Sequence, residues 1–135
     1  MSVKNVIKLL KSELEFSESS IDKLKTFHDC LLDYNKKYNL ISKSTEKNVW
    51  FRHILDSAQI LKFIDRKKDN NIADFGSGAG FPGLILAMHS RNNIFHVKLY
   101  EKSAVKRDFL NEIKEKLDLQ NVEVKGDIYE SEITS

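Results

Sequence analysis

Apolar residues recur at helical spacing along the first part of the chain. Val3, Ile7, Leu10 and Leu14 mark one amphipathic helix. Leu24, Phe27, Leu31 and Tyr34 mark a second, with Ser20 placed to cap it. Tyr38-Asn39-Leu40-Ile41-Ser42 interrupts the pattern. A third helix is predicted from Ser44 or Thr45, with Trp50, Ile54, Ala58 and Leu61 on one face. Asp65 to Asn71 reads as a polar linker, and beyond it the period changes. Ile72 to Phe75 is a short strand, and Leu84 to Met88 begins a helix. Ile94 to Tyr100 alternates in part and is rich in β-branched and aromatic residues, so it is a second strand. Val105, Phe109, Ile113 and Leu117, with Leu110 beside them, form an amphipathic helix. Lys102, Lys106, Arg107, Lys114 and Lys116 take its other faces and read as solvated. Asn121 to Lys125 alternates as a third strand. The predicted architecture is α/β. A helical cap over residues 1–66 precedes an α/β core over 67–135, and the 135 residues make one domain overall.

Between the first strand and its helix lies Asp74-Phe75-Gly76-Ser77-Gly78-Ala79-Gly80-Phe81-Pro82-Gly83, which holds four of the five glycines and the only proline. Strand, glycine loop and helix in that order put backbone N–H groups at a helix N-terminus, facing whatever lies over the strand's carboxyl end. Proline is expected just inside the helix start, where its missing N–H costs nothing. Such a turn suits a nucleotide-type cofactor. Gly76 and Gly78 fit the first two positions of the dinucleotide fingerprint, but Phe81 takes the third. The glycines run instead as Gly76, Gly78, Gly80 behind Asp74. That acidic-x-G-x-G-x-G order resembles the first motif of S-adenosylmethionine-dependent methyltransferases. A carboxylate such as Asp74 tolerates an ammonium and a sulfonium far better than a pyrophosphate. The plainer alternative is a glycine-rich turn without a ligand.

A second acidic residue is expected about 20 residues beyond such a loop, at the end of the next strand, to accept ribose hydroxyls. Glu101 closes the second strand 21 residues after Gly80. An ionised carboxylate only accepts, which suits two hydroxyl donors. The alternative is a helix N-terminal acid favoured by the macrodipole. At the end of the third strand, Gly126-Asp127-Ile128-Tyr129-Glu130 falls where an adenine ring lies in this fold class. Asp127 is placed to accept from the adenine amino group and Ile128 or Tyr129 to cover the ring, although Gly-Asp is also an ordinary turn.

Charge changes this picture little. The 22 Lys and Arg against 20 Asp and Glu leave a net of +2, which does not mark a nucleic-acid binder. The excess lies in the cap, at +3 for residues 1–66 against −1 for the rest. Cys30 alone excludes an internal disulfide and reads as a small core residue. With no apolar run of ~18 residues and no signal-peptide core, the expectation is a soluble cytoplasmic protein, monomeric, with no membrane and no metal.

Two stretches of the cap are unusual for plain packing: Tyr34 to Ser42, and Phe51 to Ser57. On an α-helix Arg52 and Asp56 are i,i+4 neighbours, and His53 and Asp56 are i,i+3. On spacing alone the simpler reading is a surface ion pair worth ~0–1 kcal/mol, with His53 satisfied by Asp56.

Taken together, Y-N-L-I-S, R-H-I-L-D-S, D-F-G-S-G-A-G-F-P-G and Glu101 with K-R-D-F-L resemble the small-subunit ribosomal RNA methyltransferase G family, also called glucose-inhibited division protein B. The likeness runs from about Leu24 to Glu130. It implies a Rossmann-like core and transfer of methyl from S-adenosylmethionine to guanine N7 of 16S ribosomal RNA in the small ribosomal subunit. By the same resemblance Asp74, Gly76, Ser77, Gly78, Gly80 and Phe81 line the cofactor pocket. Glu101 holds the ribose, and Asp127, Ile128, Tyr129 and Glu130 lie at the adenine. Arg52, His53 and Asp56 fall on the family's helical motif, and the likeness favours support of the pocket or the RNA site over a surface pair. Lys36, Lys37, Asn39, Lys43 and Arg52 are candidates for meeting RNA.

The family's sheet is expected to have seven strands, and only the first three are present before Ser135. The expectation is therefore weak cofactor binding and little or no turnover on 30S subunits by these 135 residues. Two alternatives keep the same loop and Glu101. One is a methyltransferase acting on a small molecule or protein; the other is a non-catalytic remnant that binds RNA or a partner. A nicotinamide dehydrogenase is more remote, because of Phe81.

Overall fold

The computed structural model describes residues 1–65, 70–76, 78–89 and 95–126. Ser77 and Asp127, Ile128, Tyr129 and Glu130 lie outside the described residues.

Helix α1 spans Val3–Ser12 and is capped by Ser2, whose hydroxyl accepts from the Asn5 N–H. Its buried stripe is Val6 and Leu10, while Val3 is 47% exposed, so the face is turned from the predicted one. Helix α2 spans Glu18–Tyr38. Ser17, not Ser20, caps it: the Ser17 hydroxyl accepts from the Ser20 N–H at 3.0 Å. Ser20 lies within the first turn, buried, its hydroxyl directed at the His89 carbonyl. Leu24, Phe27 and Leu31 are fully buried, as their spacing requires. Asn39 ends α2 in the left-handed conformation (φ 48°, ψ 53°), a role asparagine fills with little strain.

The predicted third helix is not a regular one. A 3-10 turn over Lys43–Asn48 leads into a π turn over Trp50–Leu55. A single α turn, α3, follows over Asp56–Ala58, and then a 3-10 turn over Gln59–Phe63. Trp50, Ile54, Ala58 and Leu61 are still buried, joined by Leu55. Buried Asn35 pins this segment to α2. Its amide donates to Glu46 Oε1 at 2.6 Å, and its carbonyl accepts from the Ile41 N–H at 2.9 Å.

Strand β1 covers Asn70–Phe75, beginning inside the expected linker. Helix α4 (Gly83–His89) leads to β2 (Phe95–Tyr100), and α5 (Ala104–Lys116) leads to β3 (Val122–Lys125). The strands form one parallel sheet in the order β1-β2-β3, with Phe75 opposite Tyr100 and Tyr100 opposite Lys125. This register aligns the carboxyl ends of all three strands, so the segments leaving β1 and β2 meet there. Phe95, Val97, Leu99 and Val122 turn inward against α4 and α5, while Asn71, Ala73, His96 and Lys98 alternate to the opposite, exposed face. A hollow of about 710 Å³ lies on that face, away from the glycine loop, lined by Ala73, His96, Lys98 and Glu123 among others.

Cap and sheet share one hydrophobic core. Val6, Leu24, Phe27 and Ile54 from the cap belong to the same buried cluster as Leu84, Val97, Phe109 and Ile113. Cys30 packs half-buried against it. Polar contacts tie this junction and, within the α/β part, join the start of β3 to β2 and α4. His89 Nε2 lies 2.9 Å from the Leu14 carbonyl, and the Asn121 amide donates to the Phe95 carbonyl at 2.7 Å and to that of Ala87 at 3.3 Å.

Candidate functional site

The loop from Gly76 to Gly83 turns over the carboxyl ends of β1 and β2. The Gly76 N–H extends the ladder by donating to the Tyr100 carbonyl at 2.8 Å. The glycines divide into two kinds. A Cβ added at Gly76 would meet nothing within 4 Å, and one at Gly78 only the Gly76 carbonyl at 3.9 Å. The space above these two is open. At Gly80 a Cβ would stand 2.4 Å from Leu84 Cδ1, and at Gly83 2.4 Å from Leu99 Cδ2 and 2.9 Å from Asp74 Oδ2. Gly80 and Gly83 are therefore required by packing of α4 on the loop and the sheet, while Gly76 and Gly78 face outward.

Two carboxylates shape the loop. Asp74 Oδ2 accepts from the Gly83 N–H at 2.9 Å, and the Leu84 N–H donates to the Gly80 carbonyl at 2.8 Å. This corrects the expectation of ligand-facing N–H groups at the helix start: the first donors of α4 are consumed within the protein. Pro82 stands just before α4 rather than inside it, its carbonyl accepting from the Leu86 N–H. Glu101 is only 7% exposed, at the end of β2. Its Oε1 accepts from the Gly78 N–H at 2.8 Å and its Oε2 from the Ser103 N–H at 2.8 Å. Ser103 in turn caps α5. Each carboxylate oxygen has capacity for a further donor. Glu101 and Gly78, singled out separately in the sequence, are thus bonded to each other.

The cap reaches the loop through aromatic rings. His53 stacks on Phe81 with ring centroids 4.7 Å apart and planes 19° apart, and Phe81 meets Phe27 edge-on at 5.5 Å. His53 Nε2 is buried without a hydrogen-bond partner. Arg52 and Asp56 are both exposed, and among the described residues they form no ion pair, nor does His53 bond to Asp56. The wider π turn carries His53 and Asp56, three apart, around the axis and away from each other. Arg52 and Asp56, four apart, stay on one side of it and are both solvated. Lys36, Lys37, Asn39 and Lys43 are exposed at the C-terminal end of α2 and just beyond it, with Lys36 Nζ 3.8 Å from the Asp33 carboxylate.

Burial holds the His53 imidazole below its ordinary pKa, aided by the Arg52 charge and opposed by Asp56. The unfolded chain then takes up this proton at a higher pH than the folded protein. The stabilising contribution is complete above the unfolded value near 6.5 and is lost as pH falls through the folded value. His53→Phe keeps a ring against Phe81 and removes the titration. Denaturant midpoints from pH 7.5 down to 5 are expected to fall less steeply in this variant than in wild type. Parallel curves would assign the acid sensitivity to other groups.

Sequence reasoning missed Arg107, which it left on a solvated face. Its guanidinium Nη1 donates to the carbonyls of Glu101 at 2.9 Å and Lys102 at 2.6 Å. Only the basic residue one turn inside α5 hinted at this. No helix among the described residues is long and apolar enough to cross a membrane, and none of their His, Cys, Asp and Glu side chains group as a metal site.

A family model, rRNA small subunit methyltransferase G, matches residues 20–133. Relatives of that same name agree. The protein of Pelagibacter ubique (strain HTCC1062) is 41% identical over 128 residues, covering 92% of this chain and 59% of the relative. That of Magnetococcus marinus is 42% identical over 105 residues, 78% of this chain and 46% of the relative. That of Orientia tsutsugamushi (strain Ikeda) is 34% identical over 135 residues, 93% of this chain and 66% of the relative. The chain thus spans between about half and two thirds of the length of these relatives. With the family model matching nearly the whole chain, and with the loop, Glu101 and the ring contact from the cap in place, the chain belongs to the GidB family, rRNA small subunit methyltransferase G.

Proposed function

We propose that this protein takes part in methyl transfer from S-adenosylmethionine to guanine N7 of 16S ribosomal RNA. It would act as a monomer in the cytoplasm, with the small ribosomal subunit as partner and no metal. The observation that carries the reading is the bond between Glu101 and Gly78 beneath an open stretch of glycine loop. A buried carboxylate with acceptor capacity left on both oxygens fits a ribose diol, and the open space over Gly76 and Gly78 fits a flat nucleoside and its amino-acid tail. The names of the relatives supply the RNA.

S-adenosylmethionine, when bound, supplies an electrophilic methyl group. The chain's own residues bind and orient. Glu101 accepts the ribose hydroxyls, Phe81 with His53 behind it walls the pocket, and Asp74 fixes the loop on α4. Guanine N7 already carries a lone pair on the major-groove edge, so no base is needed to remove a proton. The rate gain comes from alignment and proximity. The RNA is taken as a folded or single-stranded element with the guanine splayed out. Lys36, Lys37, Lys43 and Arg52, all exposed, are the groups assigned to phosphates, with Asn39 beside them. Asp56, on the same helical motif as Arg52 and His53, is assigned with them to support of the pocket or the RNA site.

Glu101→Ala is the direct test. Calorimetric titration with S-adenosylhomocysteine should show binding weakened by roughly 1.5–3 kcal/mol, the scale of charge-assisted hydrogen bonds. Unchanged affinity in the variant would remove Glu101 from the ribose. Saturable binding to wild type is the prior requirement, and a folded wild type that binds neither S-adenosylmethionine nor S-adenosylhomocysteine would count against the cofactor itself.

A further inference from the structure

We propose that Arg107 is a positioning residue for Glu101. The inference rests on the ribose reading of Glu101 and adds what aims that carboxylate. Glu101 sits in a three-residue turn between β2 and α5, and the turn is held from several sides. The Glu101 N–H donates to the Lys125 carbonyl of β3 at 3.0 Å. The Ser103 N–H is taken by Glu101 Oε2, and the Ser103 hydroxyl accepts from the Lys106 N–H at 3.3 Å. The carbonyls of Glu101 and Lys102 share a further donor in Arg107, whose Nη1 donates to them at 2.9 and 2.6 Å. The two carbonyls are thereby gathered onto one charged donor, which fixes the peptide plane between Glu101 and Lys102. That plane sets the direction in which the Glu101 side chain leaves the backbone.

Arg107 also stands against the chain leaving β3, since a Cβ at Gly126 would lie 4.0 Å from Nη1. It therefore lies beside the ends of both strands that flank the proposed ribose position, while its bonds go to the end of β2 alone. The backbone of α5 anchors it, because the Arg107 N–H donates to the Ser103 carbonyl at 2.9 Å. A solvated lysine-like role would require neither bond. Removing the guanidinium would take a charged donor from two turn carbonyls and loosen the peptide that carries Glu101.

The test compares two ligands, S-adenosylhomocysteine and its 2′,3′-dideoxyribose analogue, which lacks the hydroxyls Glu101 would accept. Arg107→Ala should weaken the first about tenfold, one charge-assisted bond's worth of alignment, and the second hardly at all. Equal weakening of both ligands would mean general loosening, and no weakening of either would mean no role; both results overturn the inference. The controls keep the two readings apart. Wild type must prefer the hydroxylated ligand, and Glu101→Ala must erase that preference. If it does not, the ribose reading fails and this inference falls with it. If it does while Arg107→Ala leaves the preference intact, only the Arg107 inference is overturned.

A ligand-free readout guards against a variant that folds poorly. Arg107→Met keeps the packing of the aliphatic stem and removes the donors. In this variant the Gly78 amide proton should shift upfield in the NMR spectrum, because the carboxylate no longer holds it. An unmoved Gly78 resonance would overturn the proposal.

Discussion

Gly78→Arg is expected to leave the protein folded and to abolish binding of S-adenosylmethionine. The wild-type Gly78 has φ +53° and an empty space where a side chain would go. A Cβ there meets only the Gly76 carbonyl at 3.9 Å, so the cost to the fold is chiefly the left-handed backbone, ~1–2 kcal/mol. The side chain fills the volume assigned to the ligand, and its charge repels a sulfonium. Gly83→Ala is the counterpart. It adds one methyl group, yet that Cβ falls 2.4 Å from Leu99 Cδ2 and 2.9 Å from Asp74 Oδ2. Its cost lies in the fold, at least the ~1–3 kcal/mol of an overpacked core, and binding is lost only as far as the loop shifts. Thermal melts and ligand titrations on both variants read the division directly. A Gly78→Arg protein that still binds would show that the cofactor does not lie over this turn. A Gly83→Ala protein as stable as wild type would show that α4 can move off the sheet at no cost.

That division between glycines could not be read from spacing. The motif places four glycines in one loop, but which of them faces a ligand depends on Leu84, Leu99 and Asp74, and so on how α4 lies against the sheet. Glu101 was legible because strand ends are marked by a local change of pattern and the interval from the loop follows from a β-α-β unit. Its bond to Gly78 follows only when the two strands are set side by side. Asn35, Asn121 and Arg107 escaped for one reason: each satisfies backbone carbonyls, amides or a carboxylate at positions the sequence pattern does not link to it. Polar side chains with such partners look in sequence like solvated ones. The irregular helix from Trp50 to Phe63 shows the converse. Burial of Trp50, Ile54, Ala58 and Leu61 was legible from periodicity, because π, α and 3-10 turns in succession preserve the buried face. The pairings of Arg52, His53 and Asp56 were not: that of His53 depends on the local pitch, and that of Arg52 on whether two exposed side chains meet.

Phe27→Ala is expected to be the most destabilising single change on the cap and to be felt across the whole protein. Phe27 is fully buried in α2, edge-on to Phe81 of the loop at 5.5 Å and tilted against Phe109 of α5 at 6.1 Å. Three parts of the molecule meet on this one ring: cap, glycine loop and the helix that follows Glu101. Truncation to alanine leaves a cavity bounded by all three, and a buried phenylalanine lost in this way costs ~3–5 kcal/mol. That is a large share of the ~5–15 kcal/mol typical of a small domain. Because cap and sheet share one core, the loss should lower one common transition rather than melt the cap alone. Trp50, the only tryptophan and 6% exposed in the cap, reports on the first part by fluorescence. Hydrogen exchange of the β2 amides reports on the second. Coincident midpoints, both lowered, are the expected result. If Trp50 became exposed while β2 kept its protection, the cap would be a separable unit, and the His53–Phe81 stack would then be a contact between domains rather than part of one core. Phe81 also loses its edge-on partner in this variant, so any S-adenosylhomocysteine binding that survives should be weakened even where most molecules remain folded.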